Sequence, residues 1–276
     1  MIYLGLPVWY GSGRLIDLIQ VVHERGFDYV EISLDYPWPE AIDEFEMEEL
    51  VKSIRGYGIE VGIHGPWRDI SLGNPRDVIR RAALKVYRRC VEFASRLESH
   101  YFNFHVFTKE ATEYEEVYKA AYAATRRSVK EICRMCKEAN IIPTLENNPT
   151  DFLGSVDEIW GLLKENEGLR ACLDVGHVKG ANMKKKGGGD ELSEWFKRLR
   201  GRIEVIHLHD YKVEGDRVLD HLVLGKGELN IAYVIDEVRK SGAKFLLLEM
   251  FLRHKNKRAS IEDLGNILIS LREKLR

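Results

Sequence analysis

Apolar residues along this chain recur in two rhythms. Short runs rich in β-branched and aromatic side chains, each closed by a polar or turn residue, alternate with longer stretches in which apolar positions return every three or four residues. The runs predict strands over Tyr3 to Val8, Tyr29 to Leu34, Glu60 to His64, Tyr101 to Val106, Ile142 to Asn147, Arg170 to Asp174, Glu204 to His209 and Phe245 to Met250. Between them Leu15, Leu18, Ile19 and Val22 share one helical face, as do Ile79, Ala82, Val86, Cys90, Phe93 and Leu97. Val117, Ala121, Ile132 and Cys136 mark a fourth helix, and Ile261, Leu264, Leu268, Leu271 and Leu275 mark the last. Eight strand and helix pairs predict an α/β protein in which a parallel sheet closes into a (β/α)8 TIM barrel. An open doubly wound sheet would use similar elements, but no GxGxxG follows the first strand and no long linker divides the chain.

A length of 276 residues suits a single barrel domain over 1–276. With 45% hydrophobic and 31% charged residues the chain can fill a core and solvate its outside. The opening MIYLGLPVWYGSG lacks a basic segment followed by a long apolar one, and nothing later approaches the ~20 apolar residues of a bilayer span, so a cytoplasmic protein with no membrane partner is expected. The four cysteines give no disulfide framework, and Cys133 and Cys136, the one CxxC, read as core positions of a helix. A net charge of −2, from 42 basic and 44 acidic residues, draws the molecule toward neither nucleic acid nor anionic lipid. The run Lys184 to Lys186, followed by Gly187 to Gly189, reads as a solvated loop tip.

Strand ends carry the chemistry, because in a barrel of this kind they converge on one mouth. The third run ends in His64, the fourth in His105, the fifth in Glu146 and the sixth in Asp174, with His177 just beyond. The seventh carries His207 and His209, and the eighth Glu249. A single histidine at a strand end is more often structural than a ligand. Carboxylates and imidazoles gathered at one end need a compensating cation, and a divalent metal supplies it. Oxygen and nitrogen donors without cysteine suit zinc or manganese first, and also cobalt, iron or magnesium.

These strings, IHGPW (63–67), LEN (145–147), CLDVGH (172–177), HLHD (207–210), DHLVLGKGELN (220–230) and LLLEM (246–250), occur in an order and placement that resembles the xylose isomerase-like barrel superfamily over almost the whole chain. That superfamily includes sugar isomerases and epimerases and also endonuclease IV. The resemblance implies a central metal held by Glu146, Asp174, His207 and Glu249. It implies further zinc positions, as in the endonuclease branch, at His64 and His105, and at His177 and His221. The endonuclease pattern has an aspartate two residues before its last histidine, where this chain has Leu219; Asp220 lies one residue later. That third position therefore carries over only if the loop adjusts to bring Asp220 in. DVGH and HLHD look more like the sugar-acting branch.

On that resemblance the expected activity is isomerisation or epimerisation of a sugar or sugar phosphate through a metal-stabilised enediolate. Glu146 and Glu249 would act as base and conjugate acid, with His177 aiding proton movement. His64, His105, His209, Trp67 and Lys226 are candidate substrate contacts. Trp9 and Trp38 are candidate pocket walls or packed loop residues, and Glu31 either points into the pocket or forms a structural ion pair. One alternative is an endonuclease IV-like zinc hydrolase of abasic-site DNA, the only reading with nucleic acid as partner; another is a barrel that binds without turnover. The sequence leaves self-association into a homo-oligomer open.

Overall fold

The computed structural model describes residues 2–8, 13–185, 189–254 and 257–275. Trp9 and Lys186 fall outside them. Seven parallel strands come first: β1 (Tyr3–Val8), β2 (Tyr29–Ser33), β3 (Glu60–His64), β4 (Tyr101–Phe104), β5 (Ile142–Glu146), β6 (Arg170–Asp174) and β7 (Ile203–Leu208). An antiparallel hairpin, β8 (Asp210–Glu214) and β9 (Arg217–Leu222), precedes the last barrel strand, β10 (Phe245–Leu248). β10 pairs with both β7 and β1, and closes the barrel in the order β1-β10-β7-β6-β5-β4-β3-β2. Two short strands, β11 (Leu252–His254) and β12 (Lys257–Arg258), join the hairpin in a four-stranded sheet that the sequence patterns do not announce.

The helices are α1 (Leu15–Glu24), α2 (Glu44–Tyr57), α3 (Asp77–Arg96), α4 (Glu115–Glu138), α5 (Val156–Glu165), α6 (Val175–Lys184), α7 (Leu192–Leu199), α8 (Ile231–Ser241) and α9 (Ile261–Leu275). Among the described residues no helix is long and apolar enough to cross a membrane. Leu18, Ile19 and Val22 of α1 are buried as the spacing requires, as are Cys90 and Phe93 of α3. The first turns of α3 depart from the expected face. Ile79 and Ala82 are exposed, and the buried place goes to Arg80, whose guanidinium meets Asp77 Oδ1 at 3.0 Å.

Alternation along the strands divides the barrel interior into two layers. The lower is apolar: Tyr29, Tyr101, Cys172, Val205, Phe245 and Leu247 form one buried cluster. Two glycines make room for its rings. A Cβ on Gly5 would stand 2.2 Å from the Tyr29 ring, and one on Gly62 the same distance from that of Tyr101. Two residues further along these strands the inward side chains turn polar: Glu31, His64, Asn103, Glu146, Asp174 and His207 are all buried. Outward-facing residues such as Val30, Ile32, Ile63, Phe102, Leu145 and Leu173 belong to the main core under the helices.

Candidate metal centre

Register places the polar layer. Asp174 on β6 lies beside His207 on β7, and Glu146 on β5 lies beside Cys172 on β6. Helix α6 begins directly after β6, so Asp174 is also its N-cap and accepts the His177 N–H at 2.7 Å. Glu249 follows β10, its N–H bonded to Leu208 O at 3.1 Å. Ligand atoms of Glu146, Asp174, His207 and Glu249 all lie within 4.8 Å of one another. Two further groups keep the same spacing, His64, His105 and Glu146 and then His177, Asp220 and His221, while Cys172 with Glu146 and His207, and His209 with Asp174, His221 and Glu249, form two more that overlap them.

The third group requires the local adjustment that the sequence left conditional. The β8–β9 register shifts between Asp210 and Lys212, and His221 adopts a positive φ of 52°. Asp220 thereby joins His177 and His221 despite its displacement by one residue. Asp210 organises this region: its buried carboxylate accepts N–H groups from Tyr211, Gly225, Gly227 and Leu229 at 2.8–2.9 Å.

Each histidine of the three groups has one ring nitrogen within reach of an acceptor outside the groups' ligand atoms. Nδ1–H donates to Gly65 O from His64 (2.9 Å), to Asn148 Oδ1 from His105 (3.1 Å), to Asn147 O from His177 (3.0 Å) and to Glu249 O from His221 (3.0 Å). His207 is turned round, with Nε2 at 3.3 Å from Glu31 Oε2 and Nδ1 facing Glu146 Oε1 (3.4 Å) and Glu249 Oε2 (3.0 Å). Such outer contacts orient imidazole ligands. His207 Nδ1 and Glu249 Oε2 are buried polar atoms without a hydrogen-bond partner, aimed at the same spot as Glu146 and Asp174. Oxygen and nitrogen donors converging in this way fit a divalent cation.

Electrostatics agree. Burial opposes ionisation of Glu146, yet His105 and His207 outweigh it and hold the carboxyl well below its usual range. Burial likewise opposes charge on His64 and His209, but the bond from His64 to Glu146 and the charge of Asp174 beside His209 lift both to about 9. His105 goes the other way, pushed by burial to about 4. Protons on His64 and His209 thus provide part of the positive charge among these carboxylates that a cation would otherwise supply.

Above the groups opens a cavity of about 380 Å3, walled by Pro7, Trp67, Phe107, Pro149 and Phe251, with Glu146, His177 and Glu249 among its lining residues. His64, His105 and Trp67 also line it. His209 and Lys226 are not among its lining residues. His209 is fully buried, with Nε2 at 3.0 Å from Asp174 Oδ2 and Nδ1 at 3.2 Å from Asp210 O, while Lys226 stands exposed on the turn before α8. Trp38 is 57% exposed and does not line the cavity. Sequence reasoning passed over Asn103, which donates to Glu146, and Cys172, whose Sγ lies 3.8 Å from Glu146 Oε2. Both sit on the inward phase of their strands, two residues before His105 and Asp174, and that phase was the available signal.

Residues 19–270 match the family model described as xylose isomerase-like TIM barrel. The uncharacterized protein MJ1614 of Methanocaldococcus jannaschii is 26% identical over 268 residues, 95% of this chain and 94% of that one. A probable endonuclease 4 of Aquifex aeolicus is 21% identical over 234 residues, 80% of this chain and 81% of its own length. Among solved structures, D-psicose 3-epimerase of Clostridium cellulolyticum H10 has the same fold, with a TM-score of 0.76 at 16% identity and full coverage of both chains. With closed barrel, mouth cavity and family match in agreement, this chain belongs to the xylose isomerase-like TIM barrels.

Proposed function

We propose that the protein is a divalent-metal-dependent sugar isomerase or epimerase that moves a proton at a carbon adjacent to a carbonyl. One observation carries this reading. Glu146 and Glu249, from strands on different sides of the mouth, meet at one ligand group on the floor of a cavity near the lower end of the ~300–1,000 Å3 usual for small-molecule sites. A cation at Glu146, Asp174, His207 and Glu249, zinc or manganese before cobalt, iron or magnesium, supplies Lewis-acid polarisation of substrate oxygens. Glu249, whose Oε2 has no hydrogen-bond partner, takes the proton. In an isomerisation Glu249 returns that proton to the neighbouring carbon. In an epimerisation Glu146, held by Asn103 and first protonated from solvent, delivers a proton to the opposite face while Glu249 releases its own to solvent. His177 orients a substrate oxygen through the ring nitrogen that Asn147 does not use. Trp67, Phe107 and Phe251 offer ring surfaces to sugar C–H groups. Likeness to a D-psicose 3-epimerase supports the substrate class.

The two flanking ligand groups favour a second reading, a zinc hydrolase of abasic-site DNA, which the likeness to a probable endonuclease 4 also supports. Against it, the cavity would take a nucleotide only if flipped from the duplex, and the net charge of −2 gives no global attraction to phosphates. Incubation in D2O with Mn, Co or Zn and a panel of ketoses, aldoses and their phosphates separates the readings. Deuterium entering beside the carbonyl, and lost in Glu249→Gln, is the expected result. Incision of an abasic duplex with no exchange into any sugar would replace the first reading by the second.

A further inference from the structure

Glu31 is a buried charge beside the ligand groups that the proposed chemistry leaves unused. It lies mid-strand on β2, 2% exposed, where an unpaired carboxylate would be costly. Its Oε2 accepts the Tyr101 hydroxyl at 2.8 Å and faces His207 Nε2 at 3.3 Å. Tyr101 reaches it because Gly62, on the strand between β2 and β4, has no side chain; a Cβ there would stand 2.2 Å from the ring and 2.5 Å from the hydroxyl. Glycine, tyrosine and glutamate from three successive strands thus bring one carboxylate oxygen to one imidazole nitrogen.

The consequence falls on the other nitrogen. The remaining histidines of the three ligand groups all tie down Nδ1, through an acceptor on their own or a neighbouring segment. His207 differs in that its Nδ1 faces the carboxylates of both Glu146 and Glu249 and has no hydrogen-bond acceptor of its own, and the group across the barrel that engages its Nε2 is Glu31. We infer that Glu31 is a positioning residue: as acceptor for Nε2–H, it fixes the tautomer and ring orientation of His207 so that Nδ1 is the atom presented to the metal. The inference rests on the metal part of the proposed function and is independent of which substrate is turned over. Tyr101 in turn keeps the Glu31 carboxylate aimed at the ring, and its own hydroxyl stays a donor because burial and the charge of Glu31 raise its pKa.

Calorimetric titration of the metal-free protein with Zn2+ and with Mn2+ tests this for the whole chain, beside Glu31→Gln and Tyr101→Phe. Glu31→Gln is expected to weaken binding about 10–100-fold, while Tyr101→Phe, which keeps the carboxylate, has a smaller effect. In the zinc-loaded wild type, 15N spectra of the histidines should show His207 protonated at Nε2 and coordinated through Nδ1. Glu31→Gln should lose that single tautomer. Wild-type affinity and an unchanged His207 signal in Glu31→Gln would overturn the inference and leave the metal reading intact. Should Glu31→Gln not fold, coordination of wild-type His207 through Nε2 would overturn it equally. A wild type that takes up neither ion would remove the metal reading and this inference together.

Discussion

Replacing Glu146 by glutamine exchanges one carboxylate oxygen for an NH2 group of nearly the same size. Wild-type Oε2 lies 3.4 Å from His64 Nε2 and 3.3 Å from His105 Nε2 and accepts from Asn103, while Oε1 lies 3.4 Å from both His177 Nδ1 and His207 Nδ1. Whichever way the amide turns, its NH2 faces two imidazoles, and on the Oε2 side a second amide as well. The charge that outweighs burial at His64 disappears, so its pKa, now about 9, should fall. Removing one member of a buried charged set costs about 3–5 kcal/mol. For a chain of this size that corresponds to a loss of about 6–20 °C in Tm, at ~2–4 °C per kcal/mol. Scanning calorimetry of metal-free wild type and Glu146→Gln measures this directly. The second arm is the gain on adding zinc. A ligand at ~1,000 times its Kd stabilises by about 4 kcal/mol, and Glu146→Gln should lose most of that because three ligand groups share this residue. Equal Tm values without metal, and equal gains with it, would refute the reasoning.

Other outcomes follow from the same geometry. Gly62→Ala should cost about 1–3 kcal/mol or more from the clash with Tyr101 and should also weaken metal binding, measurable by urea denaturation and zinc titration. Asp210→Ala leaves four N–H groups without their acceptor, so a loss on the order of 3 kcal/mol and faster proteolysis around 217–229 are expected. Stability of the metal-free protein should vary with pH in two windows. His64 and His209, raised to about 9, contribute stability that is fully present below pH ~6.5 and lost as pH rises through 9, while His105, lowered to about 4, contributes stability present above ~6.5 and lost as pH falls toward 4. A flat Tm from pH 6.5 to 9.5 would contradict the first window; saturating zinc should flatten it, since metal replaces those protons.

The strands were legible because polar residues close them. The bounds read for Tyr3–Val8, Glu60–His64 and Arg170–Asp174 agree with β1, β3 and β6, and the other five differ by one or two residues at one end or, for β7, at both. Strand-end His64, His105, Glu146, Asp174, His207 and Glu249 do meet at one mouth, as period-two alternation plus barrel closure requires. The β8–β9 hairpin was not legible: Asp210 to Leu222 alternates weakly, and its shape depends on the Asp210 carboxylate gathering distant N–H groups. For the same reason nothing local announced that His209, offered as a substrate contact, is buried against Asp174, or that Lys226, offered likewise, is exposed. Which nitrogen of His207 faces the ligand group is set by Glu31, 176 residues away, and no local pattern records such a contact.

The claim of a divalent metal centre at the mouth is tested most directly by elemental analysis of the full chain, purified without added metal or chelator and again after dialysis against zinc and manganese. At least one ion per chain is expected, falling in Glu146→Gln and in Asp174→Asn, with a second or third wherever the flanking groups fill. No bound ion in the native protein, and none after either metal is offered, would contradict the claim.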